Sequence, residues 1–287
     1  MGSFDGWIGR EARAADRLDE ALAARWLATF DLPPPDTAEM PQGVHFCLCT
    51  PTAATRQLGR DGHPARDEDP ASFLPPVPLP RRMWAASRIA FHRPLRLADP
   101  VTRLSRVSSI EEKAGSTGPL VFVEVVHETR VQDTRAVTET QTLVYREAAA
   151  PDAPLQPSEP TSGRFDKSGW SAHTAITPSN ALLLRYSALT FNAHRIHYDA
   201  PYARGEERYR GCVVHGPLIA SLLLQLAARE LGDNALARFE FRATSPAIAG
   251  DLLHLAMREE GETFELGAFA ADGRQVMKAT AARNQAG

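Results

Sequence analysis

Residues 88–107 read RIAFHRPLRLADPVTRLSRV, and residues 239–257 read FEFRATSPAIAGDLLHLAM. Each carries a proline followed five residues later by an aspartate, Pro94 with Asp99 and Pro246 with Asp251, at an offset of 152 residues. Alternating apolar residues flank both, the pattern of strands with one buried face. Two further strand-like runs follow each aspartate. They are LVFVEVVHETRV and AVTETQTLVYR in the first half, and TFELGAFA and QVMKATAAR in the second. The last two meet at Asp272-Gly273, a dipeptide suited to the left-handed conformations of a tight hairpin. A strand–turn–strand succession repeated at one offset marks two diverged copies of a single unit.

Between the copies, residues 148–163 read AAAPDAPLQPSEPTSG. The stretch has no apolar period and is rich in Pro, Ala and Ser, so it reads as a linker between units 1–147 and 164–287. The second unit holds a clear helix, PLIASLLLQLAAREL over residues 217–231, apolar on most of its surface and therefore expected to be buried. Pro217 suits its first turn and Gly232 its stop. A long helix wrapped by an antiparallel sheet is an α+β arrangement. The first unit offers no equal. Residues 18–30 look like an N-terminal amphipathic helix, and FLPPVPLPRRMW at 73–84 is too rich in proline to be helical.

Composition narrows the function. The chain has 287 residues, room for one large or two ordinary domains, and its net charge of −3 does not suggest a nucleic-acid surface. The first twenty residues are too charged for a signal peptide, and the longest apolar stretch, residues 218–228, is far too short to span a membrane. A cytoplasmic protein with no membrane or nucleic-acid partner is expected. Three cysteines, Cys47, Cys49 and Cys212, form no CxxC pair, and no metal site is expected. Cys47 and Cys49 alternate in VHFCLCT, which reads as a strand placing both on one sheet face.

The densest polar signal is RYSALTFNAHRIHYDAPYA at residues 185–203. Thr177-Pro178 offers a cap and first turn for a helix through LLLRYSALT, after which the chain breaks into FNAHRIHYD. Asn192, His194, Arg195, His197, Tyr198 and Asp199 fall within eight positions, and VVHGP follows at a helix start. An isolated histidine more often completes a local hydrogen bond than does chemistry. A cluster of this density in a loop points to a site.

FNAHRIHYD followed by CVVHGPLIASLLL resembles the MaoC-like, or hydratase 2, branch of the hotdog superfamily. With PLPRRMWAASRIAF in the first half, the resemblance reaches the subgroup of mesaconyl-CoA and itaconyl-CoA hydratases and 3-hydroxyacyl-thioester dehydratases. It covers nearly the whole chain. It implies a tandem, or double, hotdog fold, with 1–147 a degenerate repeat binding acyl-CoA and 164–287 the catalytic repeat. It also implies no cofactor, an acyl-CoA substrate and, beyond the two repeats of one chain, a homodimer. The branch carries an acid five residues before its histidine, and here Asn192 stands there.

The chemistry implied is reversible addition of water to an α,β-unsaturated acyl thioester. An amide takes no proton, so His197 is the expected base, with Asn192 orienting the water. Negative charge growing on the thioester oxygen needs donors, and Gly216 at the helix start is expected to supply a backbone N–H. His215, Tyr198 and Arg195 are expected to contact substrate. Arg56, Arg60, Arg81, Arg82 and Arg88 make the first half arginine-rich. Of these, Arg82 and then Arg81, with Trp84 as a wall, suit a second carboxylate on the acyl group, since a guanidinium matches a carboxylate through two parallel bonds. The alternative for either arginine is a CoA phosphate. The competing functions are a fatty-acid-synthesis dehydratase on CoA or acyl carrier protein, a hotdog thioesterase, and a non-catalytic acyl-CoA-binding protein.

Overall fold

The computed structural model describes residues 4–284 apart from 67, 68, 70, 116 and 117. In the first half, β1 (Glu11–Arg17) leads into α1 (Glu20–Thr29), and β2 (Arg81–Phe91), β3 (Pro100–Gly115), β4 (Gly118–Val131) and β5 (Thr134–Arg146) follow. In the second half come β6 (Ala172–Ile176), α2 (Asn180–Leu189), α3 (Ala200–Gly205) and α4 (Gly216–Leu231). Then follow β7 (Leu236–Ala243), β8 (Leu253–Glu260), β9 (Thr263–Ala270) and β10 (Gln275–Arg283).

The strands form one antiparallel sheet in the order β1-β3-β4-β5-β2-β7-β10-β9-β8-β6. Read from its middle outward, each side repeats the other: β2 answers β7, β5 answers β10, and β1 answers β6 at the two edges. This is the tandem hotdog, an α+β fold, and β2 pairs with β7 from Ala86↔Arg242 to Ala90↔Arg238 to join the halves. No helix among the described residues is long and apolar enough to cross a membrane.

The helix of the second half is central as its composition requires. α4 lies against β6, β8 and β9 and buries Leu218, Leu223 and Leu226 completely or nearly so. Pro217 sits in its first turn and Gly232, at φ +100°, ends it. The first half has no such helix. Its sheet is faced by irregular chain between Met40 and Leu79, with 3-10 turns at Val44–Cys47 and Thr55–Gln57.

Two local expectations are corrected. The VHFCLCT run is not a strand: Gly43 at φ +103° starts a 3-10 turn and Cys49 itself has φ +52°. Its N–H groups bond locally, Phe46 to the Gly43 carbonyl and Leu48 to that of His45, and Cys49 N–H donates to Asp16 Oδ2 at 2.7 Å. A backbone satisfied in this way has no ladder to offer. All three cysteines are buried and free. The cap of α2 is Ser179 rather than Thr177, its Oγ accepting from Leu182 N–H at 3.2 Å. Asp19 does the same for Leu22 N–H in α1, at 2.7 Å. Strand β1 has no apolar alternation, and its exposed EARAADR pattern left it invisible in the sequence.

The Pro-x4-Asp repeat forms the same turn twice. Ala98 N–H donates to Leu18 O and Gly250 N–H to Pro178 O, both at 2.8 Å, and each acceptor immediately precedes a helix cap. Gly250 has φ +90° and Ala98 φ +69°, so the first copy holds an alanine in left-handed backbone. That conformation costs an L-residue about 1–2 kcal/mol, partly offset by alanine's smaller loss of chain entropy. Ala98→Gly should therefore raise stability by up to ~1 kcal/mol and Gly250→Ala lower it by about the same or more, measured by denaturant melts.

Candidate active site

The histidine-bearing turn begins where α2 ends. Phe191 adopts φ +48°, and Asn192 Oδ1 accepts from His194 N–H at 2.9 Å, folding the chain back on itself. A 3-10 turn over Arg195–His197 follows, and Asp199 caps α3 by accepting from Tyr202 N–H at 3.0 Å. Val213 clamps the turn from the segment before α4: its N–H donates to Ile196 O at 2.8 Å, and His197 Nδ1 lies 2.7 Å from its carbonyl. A carbonyl only accepts, so Nδ1 carries the hydrogen and Nε2 keeps its lone pair. His197 is therefore held in the tautomer that a base requires.

The imidazoles here form a row. His197 stacks on His215 at 3.5 Å between ring centroids and meets His194 edge to face at 5.4 Å. His194 in turn lies 4.0 Å from His63. Ser187 Oγ is 2.8 Å from His215 Nε2, and His215 Nδ1 is buried without a hydrogen-bond partner among the described residues. Burial pushes His197 down to about 4, opposed by the Val213 bond and assisted by nearby His63. Burial with the His197 neighbour holds His215 well below its usual range, and burial with His63, His197 and Arg82 lowers His194. Burial favours the neutral form of all three, because a proton placed on any of them meets little water and the one carboxylate of the turn, Asp199, is held by Arg195.

A cavity of about 1850 Å³ opens onto this row and crosses from one half to the other. His197, His215, Asn192, Tyr198 and Gly216 line it from the second half. Gly216 is the first residue of α4, and its N–H, like those of any first helical turn, lacks a partner inside the helix. A Cβ built there would touch only the Trp84 carbonyl, at an ordinary 3.8 Å. The protein itself thus tolerates a side chain at this point, and the open space serves whatever occupies the cavity. Asn192, its Oδ1 occupied, keeps its amide N–H groups for the cavity. Tyr198 is half exposed, with its hydroxyl donating to Ala193 O at 3.1 Å.

The arginines separate. Arg195 does not line the cavity: its fork holds Asp199 Oδ2 at 3.0 and 2.7 Å and stacks over Tyr202. Arg81 is buried, paired through Nε with Glu207 Oε2 at 2.5 Å and bonded to the Glu207 carbonyl. Arg103 donates to the carbonyls of Leu48 and Cys49, and Arg66 to those of Val77 and Pro80. Arg82 lines the cavity and makes no hydrogen bond or ion pair with any described residue. Trp84 walls the same space, its Nε1 donating to Ser87 Oγ at 2.8 Å and its ring packed on Phe46 and Phe241.

Two groups in the first half escaped sequence reasoning. A loop brings Asp61 and His63 onto the histidine-bearing turn, where Asp61, His63 and His194 set ligand-type atoms within 4.8 Å of one another. A metal ion would fit their spacing, but the Arg82 charge that lowers His63 and His194 opposes a second cation there. The other group is a polar belt on the sheet: Ser105, His127 and Glu139 sit side by side on β3, β4 and β5, with Gln141 and Ser87 beside them. His127 Nδ1 lies 2.7 Å from Ser105 Oγ, and Ser87 Oγ donates to Glu139 Oε1 at 2.5 Å. Burial raises Glu139 to about 7 and lowers His127 to about 4. Polar residues at alternate strand positions were the only signal, and outward-facing residues carry the same one.

Comparison with known proteins places the chain in a family. The family model of hydroxyacyl-thioester dehydratase type 2 matches residues 43–249. A mesaconyl-C(4)-CoA hydratase from Chloroflexus aurantiacus is 40% identical over 282 residues, covering 96% of this chain and 95% of that protein. A mitochondrial hydroxyacyl-thioester dehydratase type 2 from Schizosaccharomyces pombe is 28% identical over 76% of this chain and 78% of its own. Among solved structures, a MaoC-like dehydratase from Phytophthora capsici superposes with a TM-score of 0.71 at 13% identity over the whole of both chains, a likeness of fold. By the match over residues 43–249 and the 40% identical relative, the chain belongs to the hydroxyacyl-thioester dehydratase type 2 family, in the MaoC-like branch of the hotdog hydro-lyases.

Proposed function

We propose that this hydro-lyase adds water reversibly to a short enoyl-CoA whose acyl group carries a second carboxylate, of the mesaconyl-CoA or itaconyl-CoA kind. The observation that carries the reading is Arg82, a cavity-lining guanidinium that hydrogen-bonds to no described residue and feels the Asp61 carboxylate only through space. A carboxylate entering an acyl pocket loses its hydration, and a free fork offsets that loss with two parallel bonds. The belt of Ser105, His127, Glu139 and Gln141 supports the same conclusion, since it gives the cavity wall a polar stretch that suits a short polar acyl group better than a long hydrocarbon tail. The resemblance to a mesaconyl-C(4)-CoA hydratase agrees.

In this reading the first half, 1–147, holds the acyl group and the second, 164–287, carries the chemistry, with 148–163 connecting them. His197 Nε2 takes a proton from water as its oxygen attacks the β-carbon. The Asn192 amide donates to that water, and Gly216 N–H meets the oxyanion beside the α4 N-terminus. His215 stacks against the His197 ring and Trp84 walls the acyl group. The half-exposed Tyr198 stands at the mouth. Three reduced cysteines favour a cytoplasmic location, and a homodimer remains the assembly proposed.

His197→Ala should lower kcat about a hundredfold or more while changing KM little, followed by loss of enoyl-thioester absorbance. For the unmodified enzyme, His197 must be neutral to accept a proton. kcat/KM should therefore hold level below the usual imidazole range and fall only as pH drops toward about 4. An acid limb centred near 6.5 would identify a different base.

Arg82→Leu separates the two uses of that side chain. Assayed on mesaconyl-CoA and crotonyl-CoA, it should lose at least about tenfold more kcat/KM on the carboxylated substrate, the weight of one charge-assisted pair. Equal losses on both would assign Arg82 to the CoA phosphates. Better native activity on crotonyl-CoA would remove the dicarboxylic substrate.

A further inference from the structure

We infer that Asp61 and His63, carried by a loop of the N-terminal half, form the second acid–base pair of this site and serve the α-carbon in place of the carboxylate that position 192 lacks. The inference rests on His197 being the base for water. Hydration moves two protons, one off water and one onto the α-carbon. His197 presents only Nε2, because Val213 O holds its Nδ1 at 2.7 Å, and Asn192 can neither take nor give a proton. A second titratable group in the same cavity is therefore of direct use to the reaction.

The loop is fixed to the catalytic turn rather than resting near it. Arg195 N–H donates to Asp61 O at 2.8 Å, and Arg195 Nη1 donates to Arg60 O at 3.1 Å. Gly62, at φ +87°, presses so closely on the Ala193 carbonyl that a Cβ would lie 1.9 Å from its oxygen. Only glycine allows this approach. The contact leaves the His63 ring 4.0 Å from that of His194 and lining the cavity that His197 lines. Asp61 Oδ2 lies 3.1 Å from His63 Nδ1 and Asp61 Oδ1 accepts from His63 N–H at 3.0 Å, so the carboxylate is bonded to His63 while also facing the Arg82 charge. The groups facing His63 are Asp61 on its own loop, Arg66 nearby, Arg82 on β2 and His194 on the turn. Burial and the two arginines lower His63 while Asp61 raises it, and Asp61 stays ionised because the His63 bond and charge outweigh its own burial. A carboxylate-backed imidazole in a cleft, held by an exact backbone contact to the catalytic turn, is a functional arrangement rather than a surface ion pair.

The proton inventory closes. Water gives one proton to His197 Nε2 while its oxygen bonds the β-carbon, and the C=C pair moves to form an enolate with its charge on the thioester oxygen. The α-carbon then takes a proton from His63 in its protonated form, the minor one because burial and the arginines outweigh Asp61, the enolate pair becomes the new C–H bond, and the carbonyl re-forms. His197 ends protonated and His63 neutral, and exchange with water resets the pair. Dehydration runs the same steps backwards, with His63 removing the α-proton. Asp61 balances the His63 charge in either direction.

The test is kcat and KM on crotonyl-CoA and mesaconyl-CoA for His63→Gln, Asp61→Asn and His197→Ala, each with and without Asn192→Asp, alongside melting temperature. His63→Gln keeps the size and polarity of the side chain and should still fold. It should lose about a hundredfold or more in kcat with KM nearly unchanged, and adding Asn192→Asp should restore at least about tenfold of that loss. A structural role for the loop would not be rescued by a carboxylate at 192. His63→Gln within about threefold of the unmodified enzyme, or a loss that Asn192→Asp leaves untouched, overturns the inference. So does loss of activity to a chelator with recovery on adding zinc, which would make the three residues a metal site. An active His197→Ala would instead sink the reading of His197 as the water base, a separate failure.

Discussion

The pairing of β2 with β7 is the constraint on which the molecule depends. It runs through five residue pairs, Ala86↔Arg242 to Ala90↔Arg238, and makes one sheet of two repeated halves. Its further effect is on position. Just before that pairing starts, the β2–β5 ladder shifts register between Trp84 and Ala86, and the Trp84 carbonyl lies near Gly216, so the cavity wall of one half meets the helix N-terminus of the other. Hydrogen bonds between main chains hold that junction, and they constrain it to a fraction of an ångström in a way that a contact between two independent domains would not.

Once the halves are joined, their difference matters more than their likeness. The second half fills its sheet with α4, whose apolar surface is buried almost throughout. The first half has irregular chain in that place, and the space left is the cavity. The lost helix explains why its strands can carry Ser105, His127 and Glu139 inward. With no apolar helix packed on them, these groups bond to one another and line the cavity, so their burial leaves them hydrogen-bonded. The irregular segment also has the freedom to send Asp61 and His63 across to the other half, which a straight helix would not have.

The histidine row shows how burial sets the chemistry. His194, His197 and His215 lie in contact with little water, and charging one raises the cost of charging the next. Neutral imidazoles are stacked without repulsion, and the one with a locked Nδ1–H presents a lone pair to the cavity. The same desolvation makes the folded state sensitive to acid. Below about pH 6.5 these side chains are protonated in the unfolded chain while the folded ones stay neutral, so stability falls as pH drops from there toward about 4.

Sequence alone determined the two-copy plan, α4 with its glycine stop, and the cluster running from Asn192 to Asp199. Each of these is written in local periodicity or in residues close along the chain. The FNAHRIHYD and VVHGP segments could be joined into one site because a helix start and a polar turn are both local events. What sequence could not determine was partnership at a distance. Nothing in RRMW distinguishes Arg81, committed to Glu207, from Arg82, which has no such ion pair among the described residues, because both line the cavity and only the fold brings Glu207, 126 residues away, to one of them. Nothing in DGHP says that its turn lands on Ala193, and VHFCLCT has the composition of a strand but not its backbone. Those outcomes belong to tertiary structure, since the free energy of a buried polar group depends on the neighbour that satisfies it, and that neighbour is often more than a hundred residues away.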